Sequence, residues 1–218
     1  MKIKSGDIIK GHSFSANLDY DTLIIKFPRS LVLSNAFYNG GLTYSSIVIN
    51  HSLNGKKDCG GRPHEYIENI LHDRSLPADT VALMTAVLPN HFHYIGSEFS
   101  HVFLSMGLDN SSNPLDNFGF PGFGTINIIV ILKNKLTSIA MMDLYKSLTE
   151  LKSYFIISHG IKSSKSDLPA TGTFTDVMAI VSGRMDPEIT YSGPATKISH
   201  DASKSLMELM EEAFEECK

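Results

Sequence analysis

Thr171, Thr173, Thr175 and Asp176 crowd the stretch Ala170-Thr171-Gly172-Thr173-Phe174-Thr175-Asp176, directly before the apolar run Val177–Val181. A hydroxyl can polarise a carbonyl or attack it, and a carboxylate beside it can take the proton. Gly172 allows a ligand or a second backbone to come close. The same residues also satisfy turn amides without doing any chemistry, and the stretch alone fits both readings. Other strand ends carry polar groups of the same kind. Asn50-His51 closes the run Ile47-Val48-Ile49, where an imidazole suits base chemistry near neutral pH but also suits a hydrogen-bonded structural role. Thr125 and Asn127 open the run Gly124–Leu132, and Thr85 is the one polar residue within Val81–Ala86. Asn39-Gly40-Gly41 is a turn signal; it reads as a plain turn or as backbone N–H groups aimed into a cleft.

Several other chemistries are excluded by pattern. There is no GxSxG elbow, Walker A loop, GxGxxG fingerprint or HExxH helix. Asn90-His91-Phe92-His93 places two histidines on one face of a strand, but no further ligand stands at a recognised spacing, so no metal site is expected. Cys59 and Cys217 lie far apart and outside any CxxC pair, which fits a reducing cytoplasm. Cys59 beside Gly60-Gly61 has no assignable partner for nucleophilic work.

These groups need rigid elements to aim them. Thr22–Phe27, Leu31–Leu33, Tyr44–Asn50, Thr80–Val87, His93–Leu108, Thr125–Leu132 and Val177–Val181 read as strands, with a turn at Ala16–Asp21 and a break at Pro28-Arg29-Ser30. Pro63–Arg74, Thr137–His159 and a C-terminal stripe through Ile198, Ala202, Leu206, Leu209, Ala213 and Phe214 read as helices. In the second helix the stripe is Met141, Leu144, Leu148, Leu151 and Phe155. Residues 109–124 form a long loop, and its Phe118, Phe120 and Phe123 suit closure over a large apolar or planar ligand. Ser182–Gly193 reads as a turn-rich connection. Strand–helix–strand thus occurs twice, at Tyr44–Val87 and Thr125–Val181. The expected architecture is one α/β (α+β) domain over residues 1–218, with a mixed central β-sheet and packed helices.

The chain has 218 residues, 42% of them hydrophobic, enough for a full core. A net charge of -4 argues against nucleic acid as the main partner. No apolar run reaches the roughly 18 residues of a membrane span, and Met1–Asp7 lacks a signal-peptide core. A cytoplasmic protein is expected, with its oligomeric state left open and a homo-oligomer compatible.

Five motifs then occur in order: Asn39-Gly40-Gly41, Ile49-Asn50-His51, Met84-Thr85-Ala86, Gly124-Thr125-Ile126-Asn127 and Ala170–Asp176. Together, over about Leu33 to Ala202, they resemble the adenosylcobinamide amidohydrolase family of corrinoid salvage. Met106–Ser111 stands where family members tend to carry a Val-Gly-Asn-Ala-like segment. The resemblance implies hydrolysis of the aminopropanol amide of adenosylcobinamide to adenosylcobyric acid. It also implies a small-molecule corrinoid partner and no protein cofactor, since the cobalt belongs to the substrate. Residue type and position make Asp176 or His51 the base for water, with a threonine nucleophile as the alternative. Thr171, Thr173 or Asn50 would polarise the carbonyl, helped by amides at Gly40-Gly41 and Gly172. Asn39, Thr85, Thr125, Asn127 and Thr175 would bind the corrinoid's amide arms. Two other readings stay open, a non-catalytic corrinoid carrier and an amidase for an unrelated small molecule. The strand mouths at Asn50-His51, Thr125-Asn127 and Thr173-Asp176 are expected to converge on one cleft.

Overall fold

The structure, a computed structural model, describes residues 1–55, 61–117 and 124–216. The Phe118–Phe123 loop, Cys59 and Cys217 lie outside the described residues. In chain order the elements are β1 (Ile8–Lys10), β2 (Ser15–Asp19), β3 (Thr22–Ser34), β4 (Gly41–Ser52), α1 (Pro63–Asp73), β5 (Val81–Thr85), β6 (Phe92–Gly96), β7 (Ser100–Met106), β8 (Ser111–Ser112), β9 (Ile126–Leu132), β10 (Asn134–Leu136), α2 (Ser138–Ser158), β11 (Gly172–Thr173), β12 (Val177–Val181), β13 (Met185–Ile189) and α3 (Lys197–Glu216). The expected mixed α/β class is what the chain adopts.

The central sheet bends around β3. Along one edge β3 carries first β2 and then β12, both antiparallel; along the other it carries β4. Pro28 does not end this strand. The β3–β4 register shifts between Lys26 and Ser30, so the proline sits in an irregularity where its missing N–H costs no ladder bond. The expected break is therefore a bend. Ala16–Asp19 is likewise a strand rather than a turn, and Tyr20, at φ 52°, makes the tight connection. His93–Leu108 divides into the β6–β7 hairpin, where Ser97 N donates to Ser100 O at 2.8 Å. The carboxylate of Asp201 on α3 clamps that turn, accepting Ser97 Oγ at 2.5 Å and Ser100 Oγ at 2.8 Å. The Ser182–Gly193 connection contains β13, which pairs parallel with β10.

Both strand–helix–strand blocks are parallel units. β4 runs parallel to β5, with α1 between them in sequence; β9 runs parallel to β12, with α2 between them. Side chains alternate across the pleat and divide the core into three layers. Ile24, Ile47, Ile49 and Ala82 face α1 with Ile67, Ile70 and Leu71. Leu23, Val48, Val81 and Leu83 face inward and meet Phe103, Ile129, Ile131 and Val181. Ile126, Ile128, Val130, Met178 and Ile180 face outward on the other half, under α2 and α3. Thr137 caps α2, its Oγ1 accepting Ala140 N at 3.2 Å, which contributes about 1 kcal/mol.

Candidate active site

Asp176 is the last residue before β12. Met178 faces the outer layer, so by alternation Asp176 does as well, toward α2. Its carboxylate has four donors. Oδ1 accepts Thr173 Oγ1 at 2.5 Å and Ile126 N at 3.0 Å. Oδ2 accepts Thr173 N at 3.1 Å and the ammonium of Lys152. The backbone is held from the other side by Asn35, whose Nδ2 donates to Asp176 O and whose Oδ1 accepts Met178 N, both at 2.8 Å. Asn35 thereby extends the β3–β12 ladder one step past the end of β3.

Lys152 comes from α2. It falls among the buried residues Leu148, Phe155 and Ile156, in the stripe that faces the sheet, and is itself 9% exposed. An ammonium there is tolerated because a carboxylate meets it. The nearby Tyr145 phenol is pushed up by burial and, secondarily, by the negative charge of Asp176. Gly172 closes the arrangement: a Cβ on it would collide with both Asp176 Oδ2 and Lys152 Nζ.

The ion pair opens on a cleft of about 830 Å³, within the size range of small-molecule sites. One wall is the motif stretch Thr171–Phe174 and the other is Ser112–Asn117. β8 and β11 join them, and Thr171 N donates to Ser112 O at 2.9 Å. The second wall is stiffened by Asp116, which accepts Ser163 Oγ at 2.6 Å, Ser166 Oγ at 2.5 Å and Asn113 N at 2.7 Å. The hydroxyl of Ser163, then that of Ser166, holds the Asp116 carboxyl below its ordinary range. Lys165 lies over the Phe174 ring, 4.9 Å from its centroid.

The cleft gathers Thr171, Gly172, Thr173 and Asp176, but not the other candidates. His51 follows inward-facing Asn50 and so points outward toward α1. Its Nδ1 lies 2.8 Å from Thr22 Oγ1 and 3.6 Å from Asp21 Oδ1, and its Nε2 lies 3.1 Å from Tyr66 Oη. His51 and Asp176 thus occupy outward faces of opposite half-sheets with the inner layer between them. The expected convergence of His51 and Asp176 is corrected by strand alternation.

Asn50 and Asn127 do converge, but on each other. Asn127 Nδ2 donates to Asn50 Oδ1 and to Met84 O, both at 2.8 Å; Asn50 Nδ2 donates to Ser105 Oγ at 3.0 Å. Thr125 Oγ1 reaches Thr175 O at 2.7 Å and Asn127 Oδ1 at 3.2 Å. This network is buried between the half-sheets and ties the end of β4–β5 to the start of β9–β12. Thr85 is buried at the same end and accepts Val87 N at 3.1 Å. Thr175 turns its hydroxyl to Gly124 O at 2.9 Å. Asn39, at φ 55°, spends its amide on Ala78 O and Thr80 O, and Gly41, at φ 90°, starts β4. Gly40 packs so closely on Ala36 O that a Cβ would collide with it. Asn39-Gly40-Gly41 is therefore a built turn outside the cleft lining. His91 and His93 meet carboxylates of α3: His91 Nδ1 is 3.0 Å from Glu216, and His93 is 3.6 Å from both Glu212 and Glu216.

Lys152 and Asn35 were not singled out by the motifs. A lysine four residues after Leu148 and three before Phe155, on the face that meets the sheet, was the available signal for the first. Asn35 has none, since its role depends on where β3 ends.

The chain belongs to the adenosylcobinamide amidohydrolase family, whose model matches residues 6–218. A relative named adenosylcobinamide amidohydrolase, from Methanosarcina mazei, is 23% identical over 195 residues, 85% of this chain and 90% of its own length. The protein MJ1613 of Methanocaldococcus jannaschii is 35% identical over 92 residues, spanning 42% of this chain and 36% of the relative. The solved structure of the PH0078 protein from Pyrococcus horikoshii OT3 covers 97% of this chain and 81% of its own, with a TM-score of 0.40 and 10% identity, a likeness too slight to bear on the site. Among the described residues no helix is long and apolar enough to cross a membrane.

Proposed function

We propose that this chain hydrolyses the aminopropanol amide of adenosylcobinamide, giving adenosylcobyric acid and 1-amino-2-propanol in corrinoid salvage, and that Thr173 is its nucleophile. The family supports the reaction class. One observation carries the residue assignment: the Thr173 hydroxyl donates to Asp176 at 2.5 Å on the wall of an open cleft. Of the two chemistries that the residue types allow, this geometry favours the side-chain nucleophile. All four donor contacts of Asp176 are already made, so a water would have to displace one before Asp176 could deprotonate it.

Thr173 Oγ1 forms a bond to the amide carbon while its proton passes to Asp176 Oδ1. The C–N bond then breaks, the leaving nitrogen takes that proton, and 1-amino-2-propanol departs, leaving the corrinoid as an ester on Thr173. Water attacks the ester, one of its protons returns through Asp176 to Thr173 Oγ1, and the corrinoid leaves as the acid. The atoms sum to amide plus water giving acid plus amine. The cleft admits the short aminopropanol arm and the neighbouring corrin edge, while the bulk of the macrocycle stays at its mouth.

The test follows amine release and corrinoid mass after incubation with adenosylcobinamide. Wild type should release the amine. Thr173→Ala should lose about 10³-fold or more in kcat, and Thr173→Ser should retain measurable turnover. Corrinoid binding without mass change in wild type would make the chain a carrier and overturn the proposal. Full turnover in Thr173→Ala would overturn the nucleophile.

A further inference from the structure

We infer that Lys152 is a second catalytic residue of this cleft: its ammonium donates to the scissile carbonyl oxygen and holds the oxyanion that forms when the carbonyl is attacked. The inference rests on the amide-hydrolysis reading above and assigns a role that the reading leaves empty.

Three observations carry it. First, Asp176 does not need Lys152 to be hydrogen-bonded. Thr173 N, Thr173 Oγ1 and Ile126 N already supply three donors, two of them from the backbone. A lysine nine-tenths buried on the sheet-facing stripe of α2 is a costly way to add a fourth. Second, an ammonium carries three N–H bonds and the carboxylate takes one. Gly172 lets its backbone pack directly against Nζ, where a Cβ would collide, and both residues line the cleft, so the ammonium sits at its wall. Third, the Asp176 carboxylate acts as a spacer. Thr173 Oγ1 binds its Oδ1 and Lys152 Nζ binds its Oδ2, so nucleophile and cation are held one carboxylate width apart. A carbonyl whose carbon meets Thr173 Oγ1 places its oxygen on the side of Nζ. Charge developing on that oxygen then meets a fixed cation on a nine-tenths buried side chain, the arrangement that lowers barriers for acyl transfer.

The step forms no bond to Lys152, and its proton stays on nitrogen throughout. Lys152→Met should lower kcat for adenosylcobinamide by about 10²–10³-fold while KM changes by less than about threefold, because the interaction strengthens in the transition state. Lys152→Arg keeps the charge beside Asp176 but redirects the N–H groups; in the folded variant kcat should still fall at least about tenfold. In Lys152→Ala, added ethylammonium should restore turnover saturably, which a purely structural ion pair would not give. Wild-type kcat in Lys152→Arg, or in a folded Lys152→Met, would overturn the assignment and leave the function standing. Absence of amine release from wild type would overturn both.

Discussion

The two parallel strand–helix–strand units have the same layout and treat their polar groups in opposite ways. In β4–α1–β5, His51 stands at the carboxyl end of a strand and is met by Tyr66 from the unit's own helix. In β9–α2–β12, Asp176 stands at the amino end of a strand and is met by Lys152 from its helix. His51 is 3% exposed, packed under α1 with Thr22 between it and Asp21, which also takes Arg74 at 2.7 Å. The Asp176 pair borders a cleft, and Gly172 packs against it where a Cβ would collide with both partners. Burial and ionisable chemistry are thus present in both units. Access separates them: the Asp176 pair lines a cleft, whereas His51 is buried under α1.

The units touch through Asn50 and Asn127. Parallel sheets ordinarily place sites at the carboxyl ends of strands. Here the bend around β3 brings the carboxyl end of β4–β5 against the amino end of β9–β12. The open site falls on the second unit, at an end where the usual rule would not look.

The sharpest way to break this contrast is to neutralise both groups. Asp176→Asn should abolish amine release, by about 10³-fold or more in kcat, whereas His51→Ala should leave kcat within about threefold. An equal loss in the two variants would mean that both units serve the chemistry. The join between the units comes next. Asn127→Ala removes the partner of Asn50 Oδ1 and Met84 O, and unsatisfied buried acceptors of this kind cost about 3 kcal/mol together. The denaturation midpoint should fall accordingly, and an unchanged midpoint would show that the join bears no load. Gly172→Ala tests the close packing of the backbone on the Asp176 pair. The added methyl must displace Asp176 or Lys152, at about 1–3 kcal/mol of stability by overpacking, with turnover lost in the fraction that stays folded.

The smallest effect concerns acid. The β6–β7 hairpin, which pairs with β9 through β7, carries two histidines whose pKa values are lowered mainly by burial: His93, and His101, which falls to about 4. A histidine held neutral in the fold stabilises fully above its unfolded value near 6.5, and the contribution is lost as pH falls through the folded value. For His101 stability should therefore drop between pH 6.5 and about 4, by up to about 1.4 kcal/mol per pH unit, and His93 acts in the same direction. Urea titrations at several pH values check this, and His101→Gln should flatten the slope. If the slope tracked Asp176→Asn instead, the acid sensitivity would belong to the site and not to the hairpin.

Much of the scaffold was legible because hydrophobic periodicity reports which faces are buried. The runs at Ile47–Ile49, Ile126–Leu132 and Val177–Val181, and the stripes of α1 and α3, follow from composition alone. So do Pro63 at the start of α1 and the positive-φ turn at Asn39-Gly40-Gly41. The stretch Thr171–Asp176 was legible as a polar cluster at a strand mouth, but alone it fitted a turn as well as a site. Pro28 misled, because a proline signals a missing N–H and not whether the strand bends or stops.

What only the tertiary structure decided is which polar groups meet. Side chains alternate along a strand, so adjacent Asn50 and His51 had to part company, one to the buried join and the other to α1. Nothing local says which residue takes which side until the sheet curls. Lys152 reaches Asp176 across 24 residues because α2 lies back over the sheet, and Asn35 reaches it across 141 because β3 ends beside β12. The residues in Ala170–Asp176 supply the candidate groups; the bend of β3 and the lie of α2 choose their partners.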